Sequence, residues 1–518
     1  MGRHKWILAL VLALLLTGCG ISLEPPPESP EENEPVLLRA ITLGTAPADG
    51  LDALYEQLDA LTVPELGCVL RFEYIPWGDE RNQINLAIAS GEYDFFPQGN
   101  FSDYQLLASR NAFLDIKPYL QFVPELTAHY QQAGSDVLEA TEMDGKLFGI
   151  PQYAAPGINA NEGFFYREDL RVQWGLEPVT DLGSMEAYLY RAKDDPAFRN
   201  NPLITDNRFW NGLWNMLTSN AYFDFTSYAV IAIDKPFQAV NRVKTPEFHT
   251  MLTYIQKWYQ DGILDKRLLT LSSNEGASGL ALFLDGEKPC ETNTPIWSLN
   301  RDWLPQLTEA HPDWEYGFFV YDGGGRKLQY KTGASHGSLI SISSRTQHPE
   351  IAVRLLEKLH TDQRYYDLLL FGVEGIHYDL EDGVVNRENI PAEGRYVGWT
   401  AGTDSYMDRP VKYCDNEMWM NQVYLPHTDQ YEAQAESVPF SPLNDFHFNA
   451  TPVSSQEARL AEVWSTYMMP LLCGLSEDID ADLQIALVRM QEAGLEDYLA
   501  EVQRQLTAFQ REKDMAEE

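Results

Sequence analysis

Cysteine is scarce in this chain, with five among 518 residues. Cys68, Cys290, Cys414 and Cys473 lie far apart and show no Cys-x-x-Cys spacing. Two readings stay open for them: one disulfide whose partners the sequence does not pair, or buried free thiols. Basic residues are few as well. Lys and Arg number 38 against 77 Asp and Glu, for a formal net charge of −39. A chain of that sign repels nucleic acid phosphates and anionic lipid, so neither is expected as a partner. There is no P-loop and no H-E-x-x-H, and the ten histidines lack ligand spacing. Asp478-Ile479-Asp480-Ala481-Asp482 opens like a calcium loop. Leu483 then stands where glycine is needed, and Arg489 where a bidentate Glu is needed. The stretch reads instead as a helix N-terminus whose acids the helix dipole favours. No particular pair of carboxylates stands out as a glycosidase would require. The expectation is a protein that is not an enzyme, with no cofactor and no metal.

What is present begins at the amino terminus. Arg3, His4 and Lys5 precede Trp6–Leu16, an unbroken apolar run of 11 residues. A bilayer span needs roughly 20, so the run fits the core of a secretory signal over residues 1–18. It ends in Leu16-Thr17-Gly18-Cys19, which resembles a bacterial lipobox. The resemblance implies diacylglycerol on Cys19, which becomes the mature N-terminus. The alternative is an ordinary signal with an incidental cysteine. Glu24–Pro35 holds five Glu and five Pro, and such a segment stays extended and solvated. With Cys19 it reads as an acylated tether over residues 19–37. Each acyl chain adds about 0.8 kcal/mol per buried methylene, and two chains make anchoring stable. The expected location is the outer face of a Gram-positive-type cell membrane, with the lipid anchor as the only membrane contact.

Beyond the tether the pattern alternates. VLLRAITL (36–43) suits a buried strand, and residues 49–61 have helical spacing. CVLRFEYIP (68–76) reads as a second strand, residues 78–91 as a helix ending at Gly91, and YDFFPQGN (93–100) as a third strand. Strand–helix–strand–helix–strand predicts a parallel α/β sheet with right-handed crossovers. Ligands then bind beyond the carboxyl ends of the strands, which points to residues 44–49 and 98–104. FHTMLTYIQKWYQDG (248–262) is an amphipathic helix, and the chain is mostly helical from Ala458 onward. A mature chain of this length exceeds what one core serves, so two or more lobes are expected.

The composition is rich in 12 Trp and 27 Tyr. Several stand beside polar residues in expected loops: Trp77, Tyr153, Trp210, Trp214, Trp297 and Trp399. Sugar rings stack on aromatic faces while neighbouring polar groups bond their hydroxyls. The competing reading for each is that it packs the core.

Several blocks together resemble an extracellular solute-binding protein of a bacterial ABC importer, of the sugar-type family 1. They are FEYIPWGDERNQINLAIASGEYDF, NAFLDIKPYL (111–120), GKLFGIPQ (145–152), FGVEGIHYDLEDG (371–383) and the helical end. That end resembles a C-terminal domain of unknown function attached to one branch of these lipoproteins. The resemblance implies a type II, two-lobed periplasmic-binding-protein-like fold with an interlobe cleft. Lobe one is expected at 38–152 plus 286–334, and lobe two at 153–285 plus 335–518. It also implies a monomer that delivers a small solute to ABC permease subunits, an oligosaccharide in many relatives. A peptide-binding lipoprotein and a surface glycoside hydrolase are the alternatives. The expected ligand contacts are Trp77, Asn100, Ser102, Tyr153, Trp210 and Trp297. Glu374 is added from Gly372–Tyr378, read either as a cleft rim of lobe two or as a structural turn whose glycines need positive φ.

Overall fold

The alternation of apolar residues in Val36–Leu43 and Cys68–Ile75 becomes two strands paired in parallel along their whole length, from Val36 opposite Cys68 to Leu43 opposite Ile75. The computed structural model describes residues 34–76, 80–99, 101–132, 138, 141–143, 145–151, 157–158, 161–218, 221–270, 277–321, 330, 338–381, 383–387, 390, 396, 398–399, 411–412, 416–444, 446 and 448–517. The strands are β1 (Val36–Leu43), β2 (Cys68–Ile75), β3 (Phe95–Gly99), β4 (Ile150–Pro151), β5 (Glu162–Arg167), β6 (Tyr222–Asp224) and β7 (Ala229–Ala232). They continue with β8 (Ala239–Asn241), β9 (Cys290–Pro295), β10 (Tyr316–Val320), β11 (Ser338–Ile342), β12 (Asp379–Glu381), β13 (Val384–Asn386) and β14 (Val411–Lys412).

The first sheet runs β2-β1-β3-β11-β4. Helix Leu51–Leu66 joins β1 to β2, and helix Glu80–Ser90 joins β2 to β3. β1 pairs in parallel with both neighbours, while β11 lies antiparallel between β3 and β4. Leu38, Ala40, Leu54, Leu58, Leu70, Phe95, Ile340, Leu355 and Trp399 form the core beneath it, all without solvent contact.

The second sheet runs β10-β5-β9, antiparallel throughout. Helix Pro246–Gln260 packs nearby because Phe248, Met251, Leu252, Ile255 and Trp258 recur at three- and four-residue spacing on one face. Thr245 caps it, its hydroxyl accepting from the Phe248 N–H at 3.3 Å. The C-terminal helices Ile479–Ala493 and Leu495–Glu517 join the same core through Leu483, Met490, Tyr498 and Leu506. The stretch read as a helix N-terminus is one, and Asp478 is its N-cap, accepting from the Ala481 N–H at 3.1 Å. Each Leu or Phe buried in either core contributes about 1.5–3 kcal/mol over its exposed state.

The two sheets correct the expected partition. β9 and β10 pair with β5, so residues 290–295 and 316–320 belong to lobe two rather than lobe one. β11 pairs with β3 and β4, and Leu355, Leu369 and Trp399 pack beneath that sheet, so this stretch belongs to lobe one rather than lobe two. The chain crosses between lobes from β4 to β5, from β10 to β11, and between Trp399 and Trp419, which lie in the two different cores. Residues Val36–Glu518 make one unit by themselves. No helix among the described residues is long and apolar enough to cross a membrane.

Candidate functional site

The crossings fix which sheet ends face each other. β4 leaves lobe one at Pro151 and β5 enters lobe two at Glu162. β10 leaves at Val320 and β11 returns at Ser338, opposite Gly99 at the end of β3. The cleft end of lobe one is therefore the carboxyl end of β1, β2 and β3. The cleft end of lobe two carries Glu162, the residues after Pro295 and Tyr321, because Glu162 pairs with Pro295 and Gly163 with Val320.

On lobe one, the turn after β3 is closed by Ser102. Its hydroxyl donates to Gln98 Oε1 at 2.7 Å and accepts from the Gly99 N–H at 3.1 Å. Ser102 is 8% exposed and its hydroxyl is taken up inside this turn. Asp103, next in sequence, pairs with Arg81 and accepts from Asn85 Nδ2 at 2.8 Å. Arg81 also reaches the Ser102 carbonyl at 3.3 Å. The helix after β2 is thereby tied to the turn after β3.

The Gly372–Tyr378 segment packs against the loop after β1. His377 is fully buried, accepting at Nδ1 from the Val373 N–H at 2.9 Å. Its Nε2 lies 3.4 Å from the Asp49 carbonyl. Gly372 has φ 88° and Gly375 φ 77°, and Tyr378 packs against Phe371 in a small core. Of the two readings, the segment is the structural turn with glycines at positive φ, and it belongs to lobe one rather than to a rim of lobe two. Glu374 is exposed at its tip.

On lobe two, a buried ion pair fixes the cleft strand. Lys288 Nζ lies 2.7 Å from Glu291 Oε2 and 3.1 Å from Thr205 Oγ1, with the two charged side chains 0% and 6% exposed. Glu291 also accepts from the Thr292 N–H at 3.0 Å. Burial pushes the Glu291 carboxyl up and Lys288 pulls it back. The pair pins the segment that continues into Asp206 and Arg208 against β9. Asn293, on the same strand, takes left-handed backbone with φ 58°, and its N–H donates to the Tyr321 hydroxyl at 3.1 Å. The Tyr321 ring lies over Gly212, where a Cβ would come within 2.2 Å of it. Tyr321 N–H donates to the Glu162 carbonyl at 3.1 Å. Glu162 is exposed at the start of β5. Desolvation by the surrounding protein still pushes its carboxyl up, Arg208 opposes the shift, and Asp206 and Asp224 add to it.

The predicted residues divide accordingly. Trp297 follows β9 at the cleft end of lobe two and is 47% exposed, with the Arg301 guanidinium 4.9 Å from its ring centre. Trp210 starts a helix and is half-buried against Trp464, with ring centres 6.4 Å apart. Trp214 and Trp399 are core residues. Trp77, Asn100, Tyr153 and Cys19 lie outside the described residues. Glu162, Asp206, Arg208, Asn293 and Tyr321 were not singled out from sequence. Their signal was position alone, since Glu162 and Tyr321 flank two crossings. Cys68, Cys290 and Cys473 are free and buried, and Cys414 lies outside the described residues. Among the described residues, no group of three or more His, Cys, Asp or Glu converges to hold a metal ion.

Residues 65–370 match the family described as bacterial extracellular solute-binding protein, and residues 442–511 match a domain of unknown function (DUF3502). A carbohydrate ABC transporter substrate-binding protein of Streptococcus pneumoniae is 21% identical over 536 residues, covering 99% of each chain. Lipoprotein LipO of Bacillus subtilis is 20% identical, over 74% of this chain and 75% of its own. The crystal structure of an N-glycan transport solute binding protein from Streptococcus pneumoniae superposes with a TM-score of 0.68 at 19% identity, covering 92% of this chain and 100% of the other.

Proposed function

Because the chain belongs to the bacterial extracellular solute-binding proteins, we propose that it is a lipid-anchored receptor that captures an oligosaccharide and delivers it to the permease of an ABC importer. The observation that carries the sugar reading is Trp297, a large ring left 47% exposed at the cleft end of β9. Around this end of the sheet stand Glu162, Asp206, Arg208 and Asn293, which supply donors and acceptors for hydroxyl groups. An apolar face with a few placed polar groups is the chemistry of sugar recognition. A carbohydrate-importer relative that aligns over nearly the whole chain supports the same reading.

The ligand would bridge the two cleft ends, with Trp77, Asn100 and Tyr153 as further contacts from the crossing and from lobe one. Contacts made on both faces favour the closed form by population shift. The tether of residues 19–37 would confine the monomer near the permease and raise its effective concentration there. The test is binding of purified protein to an array of oligosaccharides and peptides, followed by titration calorimetry on the hits. Saturable sugar binding without new reducing ends is expected. Peptide hits alone, or turnover above a mock purification, would overturn the reading.

A further inference from the structure

Strand β9 does not pair evenly with β5. Glu291 stands opposite Phe165 and Thr294 opposite Gly163, so Thr292 and Asn293 together face Phe164 alone. This is a β-bulge, which bends a strand and re-aims the side chains it carries. Asn293 takes left-handed backbone within it, a conformation that only Asn111 shares among the described non-glycine residues. The Asn293 N–H is taken by the Tyr321 hydroxyl, which ties the bulge to the residue after β10. Its side-chain Oδ1 is buried and has no partner among the described residues. The same holds for Thr292 Oγ1 beside it and for Asn300 Oδ1. Asn300 lies three residues after Trp297 in the helical stretch that follows β9, so the two share a face. Buried oxygens without a donor destabilise a fold, and a left-handed asparagine adds backbone strain. Features of this kind gather where a ligand completes the bonding. The charges around them matter too. Asp206 holds the Arg208 guanidinium through Nε at 3.2 Å and Nη2 at 3.3 Å. Asp302 holds that of Arg301 through two bonds of 2.8 Å. Both cations are engaged by their own neighbours, while Glu162 is exposed opposite Pro295.

We propose that Asn293 is a specificity-determining residue of the cleft, its carboxamide oxygen accepting from a ligand hydroxyl, and that the site takes neutral oligosaccharides in preference to those bearing carboxylates. The inference rests on the sugar-receptor reading above and names the class of sugar. A hydroxyl supplies the donor that Asn293, Thr292 and Asn300 lack. An ionised uronate or sialate group only accepts, so it leaves these oxygens unpaired and adds its own charge beside Glu162 and Asp206. The bulge sets the carboxamide in place before any ligand arrives, because the bond to Tyr321 fixes the Asn293 backbone.

The test is calorimetric titration of the full chain with matched neutral and acidic sugars: galactose oligomers against oligogalacturonates, lactose against sialyllactose, and glucose and mannose oligomers besides. A neutral sugar is expected to bind, and acidic ones at least about tenfold more weakly. Asn293→Gly removes the carboxamide and suits the left-handed backbone. It is expected to bind the neutral sugar about tenfold more weakly. Without sugar its melting midpoint is expected within about 2 °C of the wild type. Asn293→Asp tolerates the same φ and keeps an oxygen acceptor, and it is expected to retain the neutral sugar. Three binding results would overturn the proposal while leaving a sugar receptor in place: preference for acidic sugars, unchanged affinity in Asn293→Gly, or an equal loss in Asn293→Asp. A clear fall in the sugar-free melt of Asn293→Gly would show the side chain to be held within the fold, and would overturn it as well. A wild type that binds no sugar at all fails the receptor reading itself, and this inference with it.

Discussion

His377 holds Asp49 in the loop after β1, its Nε2 turned to the Asp49 carbonyl at 3.4 Å. Because Nδ1 accepts from the Val373 N–H, the proton resides on Nε2, which therefore donates to that carbonyl. The ring is wedged between two glycines: a Cβ would come within 2.4 Å of it at Gly50 and 2.5 Å at Gly372. One imidazole thus joins the loop after β1 to the Gly372–Tyr378 turn.

The neutral ring is part of the fold, and its pKa is lowered by burial, with Arg387 adding to the effect and Asp49 opposing it. The unfolded chain carries an ordinary histidine near 6.5. Stability from this group is therefore present above about pH 6.5 and is lost as the pH falls toward the native value. Denaturant melts of wild type and His377→Gln between pH 8 and pH 5 should converge as acid is added. At pH 8 the variant should lose about 1–3 kcal/mol, the cost of leaving a buried partner unpaired.

Lys288→Met leaves the Glu291 carboxylate buried without its partner and should cost about 3–5 kcal/mol in a urea melt. Lys288→Met combined with Glu291→Leu should recover much of that loss, since apolar replacement of a buried pair is often near neutral. If the double variant is as unstable as the single, the damage comes from packing rather than from the stranded charge.

Trp297→Ala should weaken oligosaccharide binding by about 1–3 kcal/mol, roughly tenfold to a hundredfold in affinity, with little change in the melting curve. Trp214→Ala is the contrast. That ring is 1% exposed, and its Nε1 donates to Asp224 Oδ1 at 2.5 Å. Its loss should cost about 3–5 kcal/mol of stability. Calorimetry alongside thermal melts separates the two cases, and a large stability loss in Trp297→Ala would make that ring structural.

Cys19→Ala should release the protein from the membrane fraction, because the acyl chains are its proposed hold. Labelling with a fatty acid checks this, and label kept by the variant would remove Cys19 as the acylation site.

Local patterns in the chain were legible where each residue's neighbours in sequence are also its neighbours in space. VLLRAITL and CVLRFEYI alternate or run apolar, and both are strands at the expected positions. The acids after Asp478 announced a helix start, and Asp478 caps that helix. The lobe partition was not legible for the opposite reason. β9 reads CETNTP, too polar to signal a strand, and it becomes one through antiparallel pairing with β5 far upstream. Of the site, Trp297 was visible because an aromatic beside polar residues carries its own signal. Glu162 was one acid among 77, set apart only by the charged neighbours Arg208, Asp206 and Asp224 that folding brings to it.

β11 inserts between β3 and β4, and this has a consequence for how the molecule is made. A chain emerging amino terminus first exposes β1 to β4 well before Ser338 exists to pair with Gly99. All three strands of the second sheet, β5, β9 and β10, emerge in that interval, and none of them pairs with β11 in the fold. Every strand of lobe two's sheet is thus at hand while the Phe95–Gly99 edge still lacks its partner. An unpaired apolar edge invites association between nascent chains. The segment around Phe95 and Phe96 is where a chaperone that shields unfinished chains has most to protect.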